Sequence, residues 1–484
     1  MRTKQLFVLM ILTALLCSSA PSMAQKFSNY VIGNIEDADV KIHHLLSAPD
    51  GNCAAVIMKR GDFQDKYSFG LRSFDQDMKP IKDYSFPGVI PSYLRITTFG
   101  NYVVVVGFDK VPVKGTPNTF PGVYKIQAHI PGNELSVDEV FKPQDDKSEL
   151  GDDSYISTSY DEEYLIVGIE EKVNWMEVSD HKFHLNIRVF DKEMKCIWTD
   201  VLKLEDIGDE RTRVADISLD YNNGKLYAIC YPSSPGGKGK VGITAVVYDQ
   251  PGTIRKRVVT SVNAKIENSK WVLAPDGTLI ICSTPALVIA GKNGMNKIQF
   301  AKISFTEETE ATVKTLLFDK EYYKLNPEYA DYSKQIARPT KLLLCEDGFI
   351  YVSDYREYSD NVYGKNISFI KIGFNGGLIW NKMIIRDRDL RVDNELKVYP
   401  MENDYLILYP PLEADQGLAR LTNDGSITQL KIENDEFPKD CSSGGATMSN
   451  VIRLEDGRFV ISGGIKYKRN YHFALRTLDL SGVE

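Results

Sequence analysis

Three stretches combine aromatic rings and charges in the way a polar ligand needs. The richest is Asp354-Tyr355-Arg356-Glu357-Tyr358-Ser359-Asp360-Asn361-Val362-Tyr363. Tyr355, Tyr358 and Tyr363 offer flat apolar faces edged by a hydroxyl, and Arg356 adds a planar fork of donors. Such a set stacks on a sugar ring and bonds its hydroxyls; a loop packed on itself uses the same residues. The second stretch, Glu170-Glu171-Lys172-Val173-Asn174-Trp175, sets Trp175 beside Lys172 in a polar segment, where so large a ring needs a cover, from the protein or from a ligand. The third, Lys466-Tyr467-Lys468-Arg469-Asn470-Tyr471, is a basic spot in an acidic chain, with Lys466, Tyr467 and Arg469 as candidate contacts. Lys59 and Arg60 hold the corresponding place near the start of the chain.

Metal, cofactor and nucleophile chemistry finds little in the residue pattern. His181-Lys182-Phe183-His184 has helical spacing but leads into a strand-like run, and the adjacent His43 and His44 point to opposite faces of a strand. There is no Asp-rich calcium loop, and Gly236-Gly237-Lys238-Gly239-Lys240 lacks the spacing of a phosphate loop. No G-x-S-x-G elbow occurs. A carboxylate pair for glycoside hydrolysis has no signature among 66 acidic residues. The expectation is no cofactor, no metal, and recognition ahead of catalysis.

The elements that would hold these residues repeat about every fifty positions. Each unit runs strand, tight turn, strong β run, longer polar loop, third strand, short turn, fourth strand. The clearest copy pairs Thr340–Cys345 with Phe349–Ser353 through Glu346-Asp347-Gly348, then continues through a loop at Asp354–Asn366 to Ile367–Phe374 and Leu378–Ile385. The other first turns are Pro49-Asp50-Gly51, Gly100-Asn101, Asp161-Glu162-Glu163, Asn222-Asn223-Gly224, Pro275-Asp276-Gly277, Glu402-Asn403-Asp404 and Glu455-Asp456-Gly457. Asn-Gly and Asp-Gly supply the positive φ that two-residue hairpins require. Several third strands end in an aromatic followed by Asp, as in Phe74-Asp75, Phe190-Asp191 and Tyr248-Asp249, which predicts a ring packed between sheets and a turn opened by the carboxylate.

Repeated four-stranded antiparallel units predict an all-β fold, a single β-propeller. Eight blades are expected, with seven as the alternative count. The last unit leaves no room for a fourth strand, whereas Phe27–Ile35 is strand-like and has no unit of its own. It is therefore expected to complete the last blade and close the ring.

The rhythm resembles propellers of the quinoprotein and NHL types, and exported bacterial propellers generally. Phe190-Asp191-Lys192-Glu193-Met194-Lys195-Cys196-Ile197-Trp198 and Phe374-Asn375-Gly376-Gly377-Leu378-Ile379-Trp380 are similar to the end of a quinoprotein-type blade. That resemblance implies that Trp198 and Trp380 lock neighbouring blades. The adjacent-cysteine pair of quinoprotein enzymes and the sialidase-type Asp box are both missing from the sequence.

Arg2 and Lys4, the apolar run Leu6–Leu16 and Ser22-Met23-Ala24 read as an export signal, making 1–24 a leader and 25–484 the propeller domain. Lipid anchoring at Cys17 is not expected, since Leu15-Leu16 lacks the small residues wanted just before it. Without the leader the net charge moves from −8 to −10, which argues against nucleic-acid partners. No second long apolar run is present to span a membrane. Cys53, Cys196, Cys230, Cys282, Cys345 and Cys441 show no dense spacing, and are expected mainly as small buried hydrophobes. The address expected is the periplasm or cell surface, and the partner a glycan, peptide or envelope protein. Two other functions fit: a glycoside hydrolase or polysaccharide lyase with its site at the channel mouth, and a structural part of an envelope assembly.

Overall fold

The computed structural model describes residues 25–26, 40–47, 53–60, 67–76, 78–85, 92–108, 121–127, 136–140, 148–173, 182–203, 213–233, 243–260, 269–274, 276–283, 297–305, 311–317, 324, 336–357, 363–391, 396–401, 404–412, 415–430, 432–433, 441–443, 450–454, 457–467 and 470–478. Nearly all are in strands or the turns that join them. Antiparallel pairing sorts the strands into successive sheets. The first holds Val40–Ser47, Cys53–Arg60, Tyr67–Phe74 and Pro80–Ser85; the second Ser92–Phe99, Tyr102–Phe108, Pro121–Gln127 and Ser136–Val140. The third holds Ser148–Thr158, Leu165–Val173, Lys182–Phe190 and Cys196–Lys203; the fourth Arg213–Asn222, Lys225–Ser233, Thr244–Gln250 and Thr253–Val259. The fifth holds Ser269–Leu273, Leu279–Ser283, Lys297–Ile303 and Thr312–Leu317; the sixth Ile336–Cys345, Gly348–Glu357, Tyr363–Gly373 and Leu378–Arg391. The seventh holds Lys397–Pro400, Asp404–Leu412, Asp415–Thr422 and Ile427–Leu430. In the eighth, Cys441–Ser443 and Asn450–Arg453 share one edge of Phe459–Tyr467, while Asn470–Leu478 covers the whole of the other edge. Among the described residues that sheet is therefore three strands across.

Second and third strands are buried on both faces, which is why their apolar runs are continuous rather than alternating. Cys53-Ala54-Ala55-Val56, Leu226-Tyr227-Ala228-Ile229-Cys230-Tyr231 and Leu279-Ile280-Ile281-Cys282 are all shielded from solvent. Each sheet packs on the next. Leu202 and Trp198 of the third meet Leu219 and Tyr221 of the fourth, and similar clusters join second to third, fourth to fifth, fifth to sixth and sixth to seventh. Tyr399 of the seventh meets Phe459 of the eighth edge to face at 5.5 Å. Leu45, Cys53 and Ala55 of the first sheet pack against Leu454, Val460 and Leu475 of the eighth, which brings the ends of the series together. The fold is an all-β propeller.

The turns follow the residue chemistry. Asn223 and Gly224 sit at φ +51° and +75°, joining Asn222 to Lys225 in a two-residue hairpin. Phe74 and Phe190 are fully buried, and Asp75 and Asp191 each accept the amide four residues on, from Lys79 and Lys195, at 2.8 Å. In both turns the third residue after the Asp is a buried methionine at φ +60°, Met78 or Met194. Cys53, Cys196, Cys230, Cys282 and Cys345 are free thiols, and three of them are buried.

Two expectations about strands change. The polar loop expected at Asp354–Asn366 is largely strand: Tyr355 pairs with Asn366, Arg356 with Gly364 and Glu357 with Tyr363. Lys466 and Tyr467 also lie in a strand, and Tyr467 pairs with Asn470 across only two residues. Aromatic and long side chains are good strand formers, and polar composition at a sheet end does not stop the ladder. The closing strand expected at Phe27–Ile35 lies outside the described residues; the preceding Gln25 and Lys26 pair in parallel with Ile432 and Glu433, which fall between the seventh and eighth sheets in chain order.

Candidate functional site

First strands lie against first strands from the first sheet to the fourth, between the fifth and sixth, and between the eighth and first, and among the described residues they leave one edge with no ladder partner. Those edge groups need donors and acceptors from elsewhere. Neighbouring sheets supply them. The Tyr155 hydroxyl of the third sheet accepts from the Leu219 amide of the fourth at 2.9 Å. Lys341 of the sixth donates to the Val398 carbonyl at 3.2 Å. Leu344 has both groups satisfied: its amide donates to the Tyr160 hydroxyl at 3.0 Å, and its carbonyl accepts from the Tyr405 hydroxyl at 3.2 Å.

Beside Leu344 lies a cavity of about 810 Å³, on the face that carries the tight first turns. Asp276 and Lys302 come to it from the fifth sheet, Cys345, Glu346, Asp347, Lys371 and Phe374 from the sixth, and Tyr405 and Asn423 from the seventh. Asp276 and Asp347 belong to first turns, so the same hairpins that end the inner strands deliver carboxylates to the cavity wall. Lys302 and Lys371 sit near the ends of third strands, opposite Ile280 and Ile350.

The charges are largely arranged in advance. Lys371 is 6 % exposed and reaches Asp347 Oδ1 at 2.8 Å and the Asn423 carbonyl at 3.2 Å. The hydrogen bond from Lys371 holds Asp347 below the usual carboxylate range. Lys302 lies over the Phe374 ring, 5.8 Å from its centre. Since Tyr405 donates to Leu344, its oxygen is left to accept from the Cys345 thiol 3.3 Å away. Burial pushes both the thiol and the phenol above their ordinary values. Both therefore keep their protons at neutral pH, each engaged in the chain of bonds from Cys345 through Tyr405 to Leu344. Close by, Asp220 accepts from the amides of Tyr160 at 3.1 Å and Tyr221 at 2.8 Å, and burial pushes its carboxyl up to about 7. This arrangement can hold hydroxyl, amide and charged groups of a ligand. Among the described residues no cluster of His, Cys, Asp or Glu could hold a metal ion.

The residues singled out from the sequence lie elsewhere. Lys59, Arg60, Lys172, Tyr355, Arg356, Tyr363, Lys466 and Tyr467 stand where second and third strands meet, at the opposite end of the sheets from the cavity. Trp175, Tyr358 and Arg469 lie outside the described residues. Trp198 and Trp380 do reach the next sheet: Trp198 meets Tyr221 at 5.7 Å, and the Trp380 indole donates to the Asn423 carbonyl at 3.3 Å. Sequence reading passed over a repeated cation. Lys125, Lys302, Lys371 and Arg420 oppose the apolar second-strand residues Val104, Ile280, Ile350 and Leu406, each followed by Ile or Leu. Lys125 lies over Tyr102 and Arg420 pairs with Asp404. The Lys/Arg-Ile/Leu pair at the third-strand end was the available signal.

Neither a protein-family model nor a curated protein matches the sequence. Among solved structures, a prolyl endopeptidase shares 12% identity with a TM-score of 0.37; the match covers 80% of this chain, which spans half the length of that one. The polysaccharide lyase Uly1 shares 9% identity over 94% of this chain and 92% of its own, with a TM-score of 0.39. A Penicillium chrysogenum α-L-arabinanase shares 12% over 76% of this chain and 99% of its own, with a TM-score of 0.30. Likeness at this level assigns no activity to the chain.

Proposed function

We propose that this chain is an eight-bladed propeller, closed by its N-terminal segment, that acts outside the cytoplasm as a recognition protein for a glycan. The cavity between the fifth, sixth and seventh sheets is the observation that carries the reading. Its wall offers carboxylates and an ammonium group held over a ring. Those are the hydrogen-bonding partners of a polyhydroxylated ligand, and its volume falls within the range of small-molecule sites. The export pattern at the N-terminus and the net negative charge agree with a partner that is neither nucleic acid nor anionic membrane.

The test is a glycan array on residues 25–484, with mass spectrometry of any bound glycan after incubation. Selective binding of an unchanged glycan supports recognition. Lys302→Ala should then abolish it if the cavity is the site; Tyr355→Ala and Arg356→Ala should do so if the opposite face is. A cleaved glycan replaces the reading with a hydrolase or lyase. No binding to any glycan overturns it in favour of a peptide or envelope-protein partner.

A further inference from the structure

The turn Ser159–Tyr164 of the third sheet does not stay with its own neighbours. Its Tyr160 hydroxyl takes the amide of Leu344 in the sixth sheet, passing over the fourth and fifth. The turn is internally braced. Ser159 Oγ donates to Asp161 at 2.5 Å and accepts from the Tyr164 amide at 2.9 Å, and Asp161 also accepts from the Glu163 amide at 3.2 Å. Glu162 holds the left-handed φ of +60° at its tip. The base of the strap rests on Asp220, which takes the Tyr160 amide from the fourth sheet. One residue is therefore anchored at both ends, backbone to Asp220 and hydroxyl to Leu344, across the tight-turn mouth of the ring. Leu344 and the adjacent Cys345 line the cavity.

We propose that this turn is a strap across the mouth of the ring, pinned to the cavity wall through Leu344, and that it opens with release of a proton from Asp220. The motion does not rest on the cavity being the ligand site. The groups around the strap favour this direction. Asp161, on the strap itself, faces Asp220 with like charge, and Tyr221 lies on Asp220's own strand. From the sixth and seventh sheets, Lys341 and Tyr399 face Glu162, and Cys345 faces Tyr160. An ionised Asp220 under the strap is poorly solvated and repelled by Asp161, and lifting the strap admits water to it. With Asp220 pushed up to about 7 when covered and near its ordinary 3.8 when exposed, opening releases a proton between those values. The opening constant then rises about tenfold per pH unit from about 4 to about 7 and is level above that. Acid keeps the strap shut.

Hydrogen–deuterium exchange of the Leu344 amide tests this on the unliganded chain, after correction for the intrinsic pH dependence of exchange. Protection in the native chain should fall steeply from pH 5 to pH 7. Asp220→Asn keeps an oxygen for the two amides but has no proton to release, so its protection should not change over that range. Tyr160→Phe should lose protection of Leu344 at every pH while the buried core amide of Val167 stays protected. A pH-independent Leu344 in the native chain overturns the proposal, as does an Asp220→Asn chain that follows the native profile. Because no ligand is present, failure here is separate from failure on the glycan array.

Discussion

Replacing Trp198 probes how neighbouring sheets are held together. Trp198 is 6 % exposed and packs in the cluster formed by Ile217, Leu219 and Tyr221 of the fourth sheet. It meets the Tyr221 ring edge to face, and Tyr221 meets Tyr164 in turn at 4.9 Å. Its indole Nε1–H is buried and has no partner among the described residues. Trp198→Ala removes a ring of about 200 Å² and leaves a cavity between two rigid sheets, for which the expected loss is about 3–5 kcal/mol. Trp198→Phe keeps a ring against Tyr221 and removes the orphan N–H. An unsatisfied buried donor costs about 1–3 kcal/mol, so its removal offsets much of the lost packing, and a net loss of about 1 kcal/mol is expected. Urea unfolding of both variants, followed by circular dichroism, reads the difference as a shift in midpoint at unchanged slope. If Phe cost as much as Ala, the indole would have to be making a bond that the geometry does not contain. If Ala cost under about 1 kcal/mol, the third and fourth sheets would not be packed through this ring.

Asp220 makes stability depend on pH in the reverse of the usual sense for a carboxylate. Its folded value of about 7 lies above the ordinary 3.8, so its contribution is complete below about pH 4 and is lost as pH rises to about 7. Three units at about 1.4 kcal/mol each set an upper limit of about 4 kcal/mol. The stability of Asp220→Asn relative to the native chain should therefore rise between pH 4 and pH 8, and a constant difference in urea midpoints over that range would contradict the burial argument. Gly425→Ala should destabilise by about 1–3 kcal/mol, because Gly425 holds φ +89° and a Cβ there would lie 2.8 Å from the Trp380 ring. An unchanged thermal midpoint would mean that this turn is not seated on Trp380.

The repeat was legible because it is written in local chemistry. Asn223-Gly224 can only be a hairpin of one kind, Phe190-Asp191 buries a ring and opens a turn, and Trp198 and Trp380 fall at one place in their units. Chain-local signals of this sort depend on a few residues and survive without tertiary knowledge. The shared turn Phe-Asp-x-x-Met-Lys was also on view, at Phe74–Lys79 and Phe190–Lys195, but a methionine at positive φ is not a conformation that residue type announces. The long loop read at Asp354–Asn366 failed for a related reason. Tyr355 and Arg356 suit a binding loop and a strand end equally, and the ladder to Asn366 and Gly364 decides between them.

The cavity was not legible, and the reason is geometric. A first strand has one edge without a ladder, and its N–H and C=O groups must find partners that neighbouring sheets bring. Which side chain arrives depends on the order of sheets around the ring, so Leu344 is met by Tyr405 from 61 positions later in the chain and by Tyr160 from 184 positions earlier. The repeated cation shows the same dependence. Lys125, Lys302, Lys371 and Arg420 occupy one structural position, yet one lies over its own sheet's tyrosine, one over the next sheet's phenylalanine, and two on carboxylates of their own sheets. Only Lys302 and Lys371 open on the cavity. A repeat specifies the blade, whereas the differences between blades at equivalent positions specify the site. For that reason the tight-turn face, which looked like mere connection in the sequence, is where Asp276, Glu346, Asp347, Lys302 and Lys371 converge.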